Sequence, residues 1–288
     1  MALGLGTEVD SPRLAEAQTI VPAALVVELV DGQSSATHWR SSSQLKLMLP
    51  RPRGAAVWAC AATYGGGLVA GDRIALELRV DDGAALCLGT QSTTKVFRST
   101  GAEAVQELRG DVAAGGLLAI LPEPLSPFAG SRYRQRTTLR VATGGSLAWL
   151  DTVSAGRIAC DEHWRHEAYD ARTDLMIGGR LVLRDTLRLG PDAPSKLGAH
   201  IAVTTLLLVG PRAAQAVSAG RSLAEQHRPG RDGLLIACSP VGDGVLLRLA
   251  AMDLEVLART VRTIIAPLSA PLDGDPWRRF ASVEIACT

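Results

Sequence analysis

A series of short runs with strand character, separated by glycine, proline and aspartate, constrains this chain more than any other feature. The clearest run covers residues 74–80, where Ile74, Leu76, Leu78 and Val80 alternate with alanine, glutamate and arginine. A period of two is typical of a strand with one buried face. Similar runs occupy residues 117–121, 137–141, 146–150 and 180–189, so the first two thirds of the chain are predicted to be mainly β.

The first of these runs leads into a predicted β-hairpin. Asp81, Asp82 and Gly83 follow residues 74–80 directly, and a second apolar run, AALCLGTQ, begins at once. Glycine tolerates the positive φ that tight turns require. The sequence therefore predicts that residues 74–90 form two paired antiparallel strands.

The last third of the chain has a different character. Pro211 is well placed to start a helix that reaches about residue 227. A second helix is predicted between Asp253, a plausible N-cap, and Pro267. Two strands near residues 233–239 and 244–250 lie between the helices.

The predicted fold class is therefore mainly β, a large β-rich scaffold with about two α-helices in the C-terminal third. The scaffold is either a sandwich or a helix-like stack of strands. Residues 1–20 are predicted to be a flexible leader, residues 21–200 a β-rich body, and residues 201–288 an α+β tail docked on that body in one continuous unit.

Composition limits the classes of partner. Hydrophobic residues make up 47% of the chain and charged residues 20%, with a formal net charge of +1. A near-neutral chain lacks the long-range field on which nucleic-acid binders and polybasic membrane proteins depend. Neither nucleic acid nor membrane is therefore an expected partner.

The five cysteines are scattered without a CxxC pair, which argues against a disulfide framework or a structural zinc site. The N-terminal sequence also lacks the basic and apolar regions of a signal peptide. We therefore expect a cytoplasmic protein.

The glycine-rich segment TYGGGLVAGD at residues 63–72 raises the question of nucleotide binding. A Walker loop would end in Gly-Lys-Ser or Gly-Lys-Thr, and a dinucleotide-binding loop would open a helix. Here Gly71 is followed by Asp72 and then by a predicted strand. A tight turn that only glycine tolerates is the better interpretation of Gly65, Gly66 and Gly67.

The segment TQSTTKVFRS at residues 90–99 contains Ser92 and Lys95 in the SxxK spacing of acyl-serine enzymes. Those enzymes place the lysine one helical turn from the serine, whereas the surroundings here are rich in predicted strands. An exposed polar strand or loop is the favoured interpretation. A serine amidohydrolase that uses Ser92 and Lys95 remains the enzymatic alternative.

Two acidic or histidine-containing features are candidate metal ligands. His163 and His166 form an HxxH in ACDEHWRHEAYD, which we predict to be a strand, and positions three apart on a strand point to opposite faces. Imidazole and carboxylate together suit a borderline metal such as nickel, although surface histidines and glutamates more often bind nothing. Asp185 shares the apolar face of its predicted strand and therefore needs a partner, either an arginine or a polar passage.

A proline-rich segment, LPEPLSPFAGSRYRQRTTLRV, leads through Phe128 to Arg132, Arg134 and Arg136. On a strand these arginines share one face. The face is either simply solvated or, beside a preorganised Pro/Phe segment, a protein-docking surface.

Taken in order, YGGGLVAGD, TQSTTKVFRS, LPEPLSPFAGSRYRQ and SAGRIACDEHW resemble the UreD family of urease accessory proteins, also called UreH. The resemblance is strong over residues 63–164 and weaker over RTIIAPLSAPLDGDPWRRF. It departs from the family where Asp161 replaces the usual glycine before Glu162.

The resemblance implies a β-rich scaffold without turnover of its own. Such a scaffold binds apo-urease and recruits a UreF-type protein and, through the complex, the GTPase UreG, so that nickel can be inserted into urease. The resemblance implies no tightly bound cofactor and is compatible with a transient passage of nickel through the interior. Glu162, His163 and Asp185 are the candidates for that passage. A carbohydrate-binding β-sandwich is a second alternative, but the aromatic residues are dispersed.

The residues that the resemblance assigns to fold integrity or docking lie in its motifs: Gly65, Gly66, Gly67, Gly71, Asp72, Thr90, Gln91, Lys95, Arg98, Pro122, Pro124, Pro127, Phe128, Arg132, Gly156 and Arg157.

Overall fold

The computed structural model describes residues 21–50, 54–228, 230 and 233–277, so the predicted leader at residues 1–20 lies outside the described residues. Strands dominate these residues, as predicted. In chain order the strands are β1 (Ala23–Val30), β2 (Gln33–Arg40), β3 (Leu45–Met48), β4 (Val57–Thr63), β5 (Arg73–Val80), β6 (Ala85–Thr90), β7 (Thr94–Val96), β8 (Ala104–Val112), β9 (Leu117–Ile120), β10 (Leu125–Pro127), β11 (Arg132–Val141), β12 (Ser146–Ser154), β13 (Ala168–Ile177), β14 (Arg180–Leu189), β15 (Ala202–Val209), β16 (Leu234–Val241) and β17 (Gly244–Ala251).

The helices are concentrated towards the C-terminal end. They are α1 (Ala193–Leu197), α2 (Ala214–Gln226), α3 (Leu254–Ile265) and α4 (Ser269–Leu272). The two longer ones, α2 and α3, confirm the two predicted helices. Asp253 caps α3 as expected, because its side chain accepts hydrogen bonds from the Glu255 and Val256 backbone amides.

The strands form two sheets. The first sheet has the order β14-β13-β11-β8-β5-β1-β2, and its five central strands are parallel to one another. The main path of the second sheet has the order β16-β17-β15-β12-β9-β6-β4-β3, with β12, β9, β6 and β4 parallel. The short strands β7 and β10 pair with each other and join this sheet through β12.

The chain alternates between the two sheets and so builds a helix-like stack of parallel strands. It passes from β5 to β6, then from β8 to β9 and from β11 to β12, and each pass adds one strand to each sheet. The predicted hairpin at residues 74–90 is therefore wrong. β5 and β6 belong to different sheets, and the turn at residues 81–84 carries the chain across the gap between them. Turn chemistry alone does not specify where the next strand will pair.

Two apolar layers hold this arrangement together. The inner layer fills the gap between the sheets with residues such as Leu78 and Leu139 of the first sheet and Leu86 and Leu118 of the second. The outer layer packs the opposite face of the second sheet against α2, α3 and α4. Because the second sheet is covered on both faces, β6, β9 and β12 are buried almost throughout instead of alternating between buried and exposed residues.

The predicted boundary at residue 200 falls just before β15, which pairs with β12 on one side and β17 on the other. The strands of the tail therefore extend the second sheet. Within the described part of the chain, no helix is long and apolar enough to span a bilayer.

Candidate functional site

Four connections between the sheets lie at one corner of the stack. Residues 64–72, 91–103, 121–131 and 155–167 each carry the chain from a strand of the second sheet to the next strand of the first. We call them corner segments one to four. The four segments that resemble UreD motifs coincide with these corner segments, so elements far apart in sequence become neighbours in space.

Backbone hydrogen bonds join each corner segment to the next. Leu68 of segment one donates to the Lys95 carbonyl at 2.7 Å and accepts from the Phe97 amide at 2.8 Å. Segments two and three pair as β7 and β10. The Gly130 amide of segment three donates to the Arg165 carbonyl of segment four at 2.9 Å. The corner segments therefore form one continuous wall.

The glycines of segment one have two different roles. Gly65 and Gly66 adopt φ values of +79° and +73°, which side chains other than glycine rarely adopt, in an exposed turn. A Cβ at Gly67 would lie 2.7 Å from both the Lys95 carbonyl oxygen and the Phe97 ring. Gly67 is therefore required for the close approach of segment two.

The end of segment one is fixed by Asp72. Its carboxylate accepts from the Val69 amide at 2.8 Å and from the Gln44 side chain at 3.2 Å. Gly71, at φ +86°, donates its amide to the Glu103 carbonyl at 3.2 Å. These contacts give a tight turn, as predicted, and a strand instead of a helix follows it.

Segment two begins with contacts that anchor it to its neighbours. The Thr90 hydroxyl accepts from the Glu123 amide at 2.9 Å, and the Gln91 amide donates to the Ala61 carbonyl at 3.0 Å. Pro122 lies beside this anchor at the start of segment three. These polar contacts connect corner segments two and three to the second sheet.

Ser92 and Lys95 do not have the geometry of an SxxK site. Ser92 lies in the loop before β7, whereas Lys95 is the middle residue of β7, so they are not one helical turn apart. The Thr94 amide of β7 donates to the Pro124 carbonyl at 3.1 Å. This segment is the polar loop and short strand that the sequence favoured.

Aromatic and cationic side chains form a column on the outside of the wall. Phe97 meets Phe128 edge to face with 5.4 Å between ring centroids. The Arg157 guanidinium lies over the Phe128 ring, 4.4 Å from its centroid. Side chains of segments two, three and four thus stack on one another. Aromatic and cation–π contacts of this kind stabilise a protein beyond the contribution of the apolar area that they bury.

Two further arginines flank this column. A Cβ at Gly130 would lie 3.3 Å from the Arg98 side chain, so Arg98 runs across the bare backbone of segment three. Arg132 donates its amide to the Ser99 hydroxyl at 2.9 Å and forms a half-exposed ion pair with Glu167 at 3.1 Å. The alternating burial of β11 confirms that Arg132 shares one face with the arginines that follow it.

Glu162 is buried behind the column and is held by its neighbours. It forms a short ion pair with Arg157 and accepts from the Ala129 amide at 3.1 Å. The Arg157 guanidinium holds the pKa of Glu162 below its ordinary value. Gly156, at φ +95°, packs against the Pro127 carbonyl oxygen, which a Cβ would approach to 2.9 Å.

The HxxH segment is not a strand, which corrects the prediction. Residues 158–160 form a 3-10 turn, and Trp164 follows with φ +55° and a fully buried ring. His166 is buried against the Leu189 carbonyl oxygen at 3.2 Å, and this burial lowers its pKa. His163 is half-buried beside Trp164. Across the described residues, no three His, Cys, Asp or Glu side chains come together as a metal site.

Asp185 lies on the inward face of β14 and contacts Arg248 of β17 in a short ion pair between the two sheets. The arginine partner anticipated from the sequence is therefore present. The Asp185 side chain is 16% exposed, so its carboxylate is mostly shielded from solvent.

A polar network that the sequence analysis missed crosses the inner layer. The Tyr133 hydroxyl bridges the side-chain oxygens of Gln106 at 3.1 Å and Gln135 at 2.8 Å. Gln135 donates to Asp151 at 3.0 Å. Desolvation raises the pKa of Asp151 to about 6. The negative charge of Asp185 raises this pKa further, whereas the Gln135 hydrogen bond and the positive charge of Arg248 lower it.

This network borders a cavity of about 160 Å³. Asp151, Gln135 and Thr137 line one part of it, and residues of corner segments one to three line another. The Thr137 hydroxyl has no hydrogen-bond partner among the described residues. A polar lining with unpaired groups is typical of a cavity that holds water.

A signal for Asp151 was present in the sequence. Along β12, Leu147, Trp149, Asp151 and Val153 share the face towards the first sheet. An aspartate among three apolar residues at a period of two is the pattern that singled out Asp185. The partners of both carboxylates lie in other parts of the chain, and no sequence pattern near either aspartate predicts them.

Comparison with known proteins agrees with the motif resemblance. The family model described as UreD urease accessory protein matches residues 22–280. A urease accessory protein UreD from Anaeromyxobacter sp. (strain Fw109-5) is 42% identical over 258 residues, which cover 87% of this chain and 86% of the relative. The UreD of Sorangium cellulosum (strain So ce56) is 40% identical over 88% of this chain and 82% of the relative.

The similarity extends to plants. Urease accessory protein D of Arabidopsis thaliana is 27% identical over 288 residues, which cover 88% of this chain and 98% of the relative. The matched region takes in both sheets, all four corner segments and the helices α2 and α3. The chain therefore belongs to the UreD family of urease accessory proteins, and its role lies in urease maturation.

Proposed function

We propose that this protein is a non-catalytic scaffold in the cytoplasm that binds apo-urease and recruits a UreF-type accessory protein. A UreG-type GTPase then joins through the assembled complex, and nickel is inserted into the urease active site. The observation that carries this proposal is the wall of four corner segments. Its motifs are separated in sequence, yet they share one continuous surface.

The chemistry of the wall supports docking. Tyr64 is 54% exposed, Val69 52% and Ile158 43%, and all three lie on the corner segments. The Arg157 guanidinium of the same wall stacks on the Phe128 ring. Aromatic residues and arginine are enriched at protein interfaces, where they supply much of the binding energy.

A polar cavity lined in part by Asp151 supports a route for nickel as cargo, although Glu162, His163 and Asp185 lie outside its lining. We propose that nickel passes along the polar cavity and that Glu162, His163 and Asp185 contribute to the route. Both carboxylates already pair with arginines, so a passing cation would compete with Arg157 and Arg248. Such competition favours transient binding over a stable site, as a conduit requires. Asp151, which borders the cavity, is a further candidate.

The scaffold proposal is tested by co-expressing the tagged chain with apo-urease and the other accessory proteins. We expect these proteins to co-purify and urease to become active in nickel only when the chain is present. If nothing co-purifies and activation is independent of the chain, the proposal fails.

Charge reversal at Arg132 separates docking from folding. In Arg132→Glu, we expect an unchanged melting temperature together with reduced co-purification, because the half-exposed Arg132–Glu167 pair contributes little to stability. The matched control is Arg109→Glu, an exposed arginine on the same face of the first sheet that, unlike Arg132, does not adjoin a corner segment. Loss of solubility in Arg132→Glu alone would assign Arg132 to the fold.

The conduit role is tested separately with Glu162→Ala. Urease activation and complex formation are measured together with the melting temperature. Weakened activation in a complex that still assembles would support the role. If binding is intact and activation normal, Glu162 has no part in nickel passage.

A further inference from the structure

β14 is a long edge strand of the first sheet. This ten-residue strand closes one side of the first sheet, and among the described residues it pairs only with β13. Its sequence, RLVLRDTLRL, contains no proline or lysine, two residues that commonly protect a free edge. The inward-facing charge of Asp185 is neutralised by Arg248, and the bulge at Val182 interrupts only one end of the strand. The unpaired side of β14 therefore presents backbone donors and acceptors that are free to pair with another strand.

The other edges in the described part of the chain are less suited to pairing. β2 carries no leucine, isoleucine or valine, and β3 has only four residues. β16 contains Pro240, whose nitrogen cannot donate a hydrogen bond. An extended partner that needs both backbone pairing and apolar contacts therefore finds them together at β14.

Apolar side chains lie along the β14 edge. Leu183 and Leu187 face the inner layer but are only half-buried, because β14 has no neighbour on its outer side. Leu181 and Val182 are 49% and 42% exposed. A strand added here would extend the inner layer by covering Leu183 and Leu187.

The solvent face of the same edge is strongly basic. Four arginines contact two carboxylates: Arg172 and Arg184 share Asp174 at 2.7 and 2.8 Å, and Arg136 and Arg188 share Asp170 at 3.1 and 3.5 Å. Two positive charges are thus left without a matching carboxylate within these contacts. The outermost arginines, Arg184 and Arg188, have side chains 52% and 74% exposed.

We propose that β14 docks an extended strand of a partner protein, whose residues alternate between apolar side chains facing inward and acidic side chains facing Arg184 and Arg188. The backbone edge supplies affinity, and the arginine row selects for negative charge, as in other cases of strand addition. This inference rests on the proposed scaffold function, because it assigns one of the scaffold's partners to a particular edge.

Binding is tested with the isolated protein and two labelled ten-residue peptides. One peptide alternates valine with glutamate, and the matched peptide has lysine in place of glutamate. We expect saturable binding of the glutamate peptide, seen as a rise in fluorescence anisotropy, and about tenfold or more weaker binding of the lysine peptide. Absence of saturable binding of the glutamate peptide overturns the proposal.

The R184E/R188E double variant tests the arginine row. We expect about tenfold or more weaker binding of the glutamate peptide to this variant, because like charges would then face each other. Arg109→Glu, on the same sheet face but away from the edge, should bind as the wild type does. Equal affinity of the double variant and the wild type would also overturn the proposal.

Hydrogen exchange in the co-purified complex distinguishes this inference from the scaffold proposal. We expect protection of β14 amides when partners bind. If partners co-purify without such protection, the edge assignment fails and the scaffold stands. If no partner co-purifies, the scaffold proposal fails, and the peptide assay alone shows whether β14 binds an extended acidic strand. Self-association of the wild type that the double variant abolishes would assign β14 to a second copy and overturn the proposed partner.

Discussion

At the residue scale, the buried Glu162 joins corner segments three and four. Its carboxylate accepts from the Ala129 amide and pairs with Arg157. Glu162→Ala removes both contacts and leaves a backbone donor without its partner, so we expect a loss of about 1–3 kcal/mol in the free energy of unfolding. Denaturant unfolding of the variant and the wild type measures this loss.

A second variant, Glu162→Gln, tests the electrostatic contribution of Glu162 through the pH dependence of stability. The pKa of Glu162 is below its ordinary value of 4.5 in the folded protein, so its contribution to stability is present above that pH and is lost as the pH falls. The difference between wild type and Glu162→Gln should therefore shrink in acid. A difference that stays constant down to about pH 3 would contradict the ion-pair argument.

The ionised Asp151 carboxylate is predicted to lower the stability of the protein, whereas the ionised Glu162 raises it. Its pKa is about 6 in the folded protein and 3.8 ordinarily, so the folded state binds more protons between these values. Ionisation at higher pH therefore costs stability. Asp151→Asn should stabilise the protein by up to about 3 kcal/mol near pH 7.5. Water in the cavity beside the carboxylate would solvate its charge and make the gain smaller.

The measurement for Asp151 is the melting temperature of Asp151→Asn and wild type across pH. We expect the two curves to converge only below the unfolded-state pKa of 3.8, at about pH 3, where the wild-type carboxyl is protonated in both states. Parallel curves from about pH 4 to 8 would show that Asp151 is not the group that titrates.

Residue patterns predicted that Asp185 faces inward and needs a partner, but not which arginine supplies it. The alternation along β14 placed it on the inward face, as the structure confirms. Its partner, Arg248, lies 63 residues further along and reaches it only because β17 stands opposite β14. A contact set by the stacking of two sheets has no local signature.

At the scale of elements, the α3 helix was fully specified by its own sequence. Asp253 accepts from the Glu255 amide at 2.6 Å and the Val256 amide at 3.1 Å, and Leu257, Val261 and Ile264 are buried on one face. Asp253→Ala should cost about 1 kcal/mol, measured by denaturant unfolding. Asp253→Asn retains an acceptor and should cost less; equal losses would contradict the capping role.

The elements that were predicted wrongly depend on distant neighbours. The strand at residues 74–80 was correct, yet its partner was not, because the turn at residues 81–84 fits a hairpin and a crossing between sheets equally well. The HxxH segment alternates in sequence but is held irregular by buried Trp164, whose indole donates to the His200 carbonyl at 2.7 Å. Tertiary packing overrode the local pattern in both cases.

At the scale of the whole molecule, the stacking explains why four separated motifs can share one surface. Each pass of the chain returns to the same corner after a strand in each sheet, so residues 64–72 and 155–167 belong to the same wall. The sequence predicted either a sandwich or a helix-like stack, and strand alternation alone fits both. Parallel pairing between successive passes is what distinguishes them.

The same connectivity predicts that the body and the tail unfold together. The outer layer joins Cys87, Leu117 and Ala119 of the body with Val261 and Ile264 of α3 in one buried apolar cluster. Removing residues 201–288 would expose these side chains and leave β12 without β15. We therefore expect a chain ending at residue 200 to be insoluble and the full chain to give a single calorimetric transition, with calorimetric and van't Hoff enthalpies in agreement. Two separate transitions, or a folded fragment of residues 1–200, would mean that the boundary at residue 200 divides two independent units.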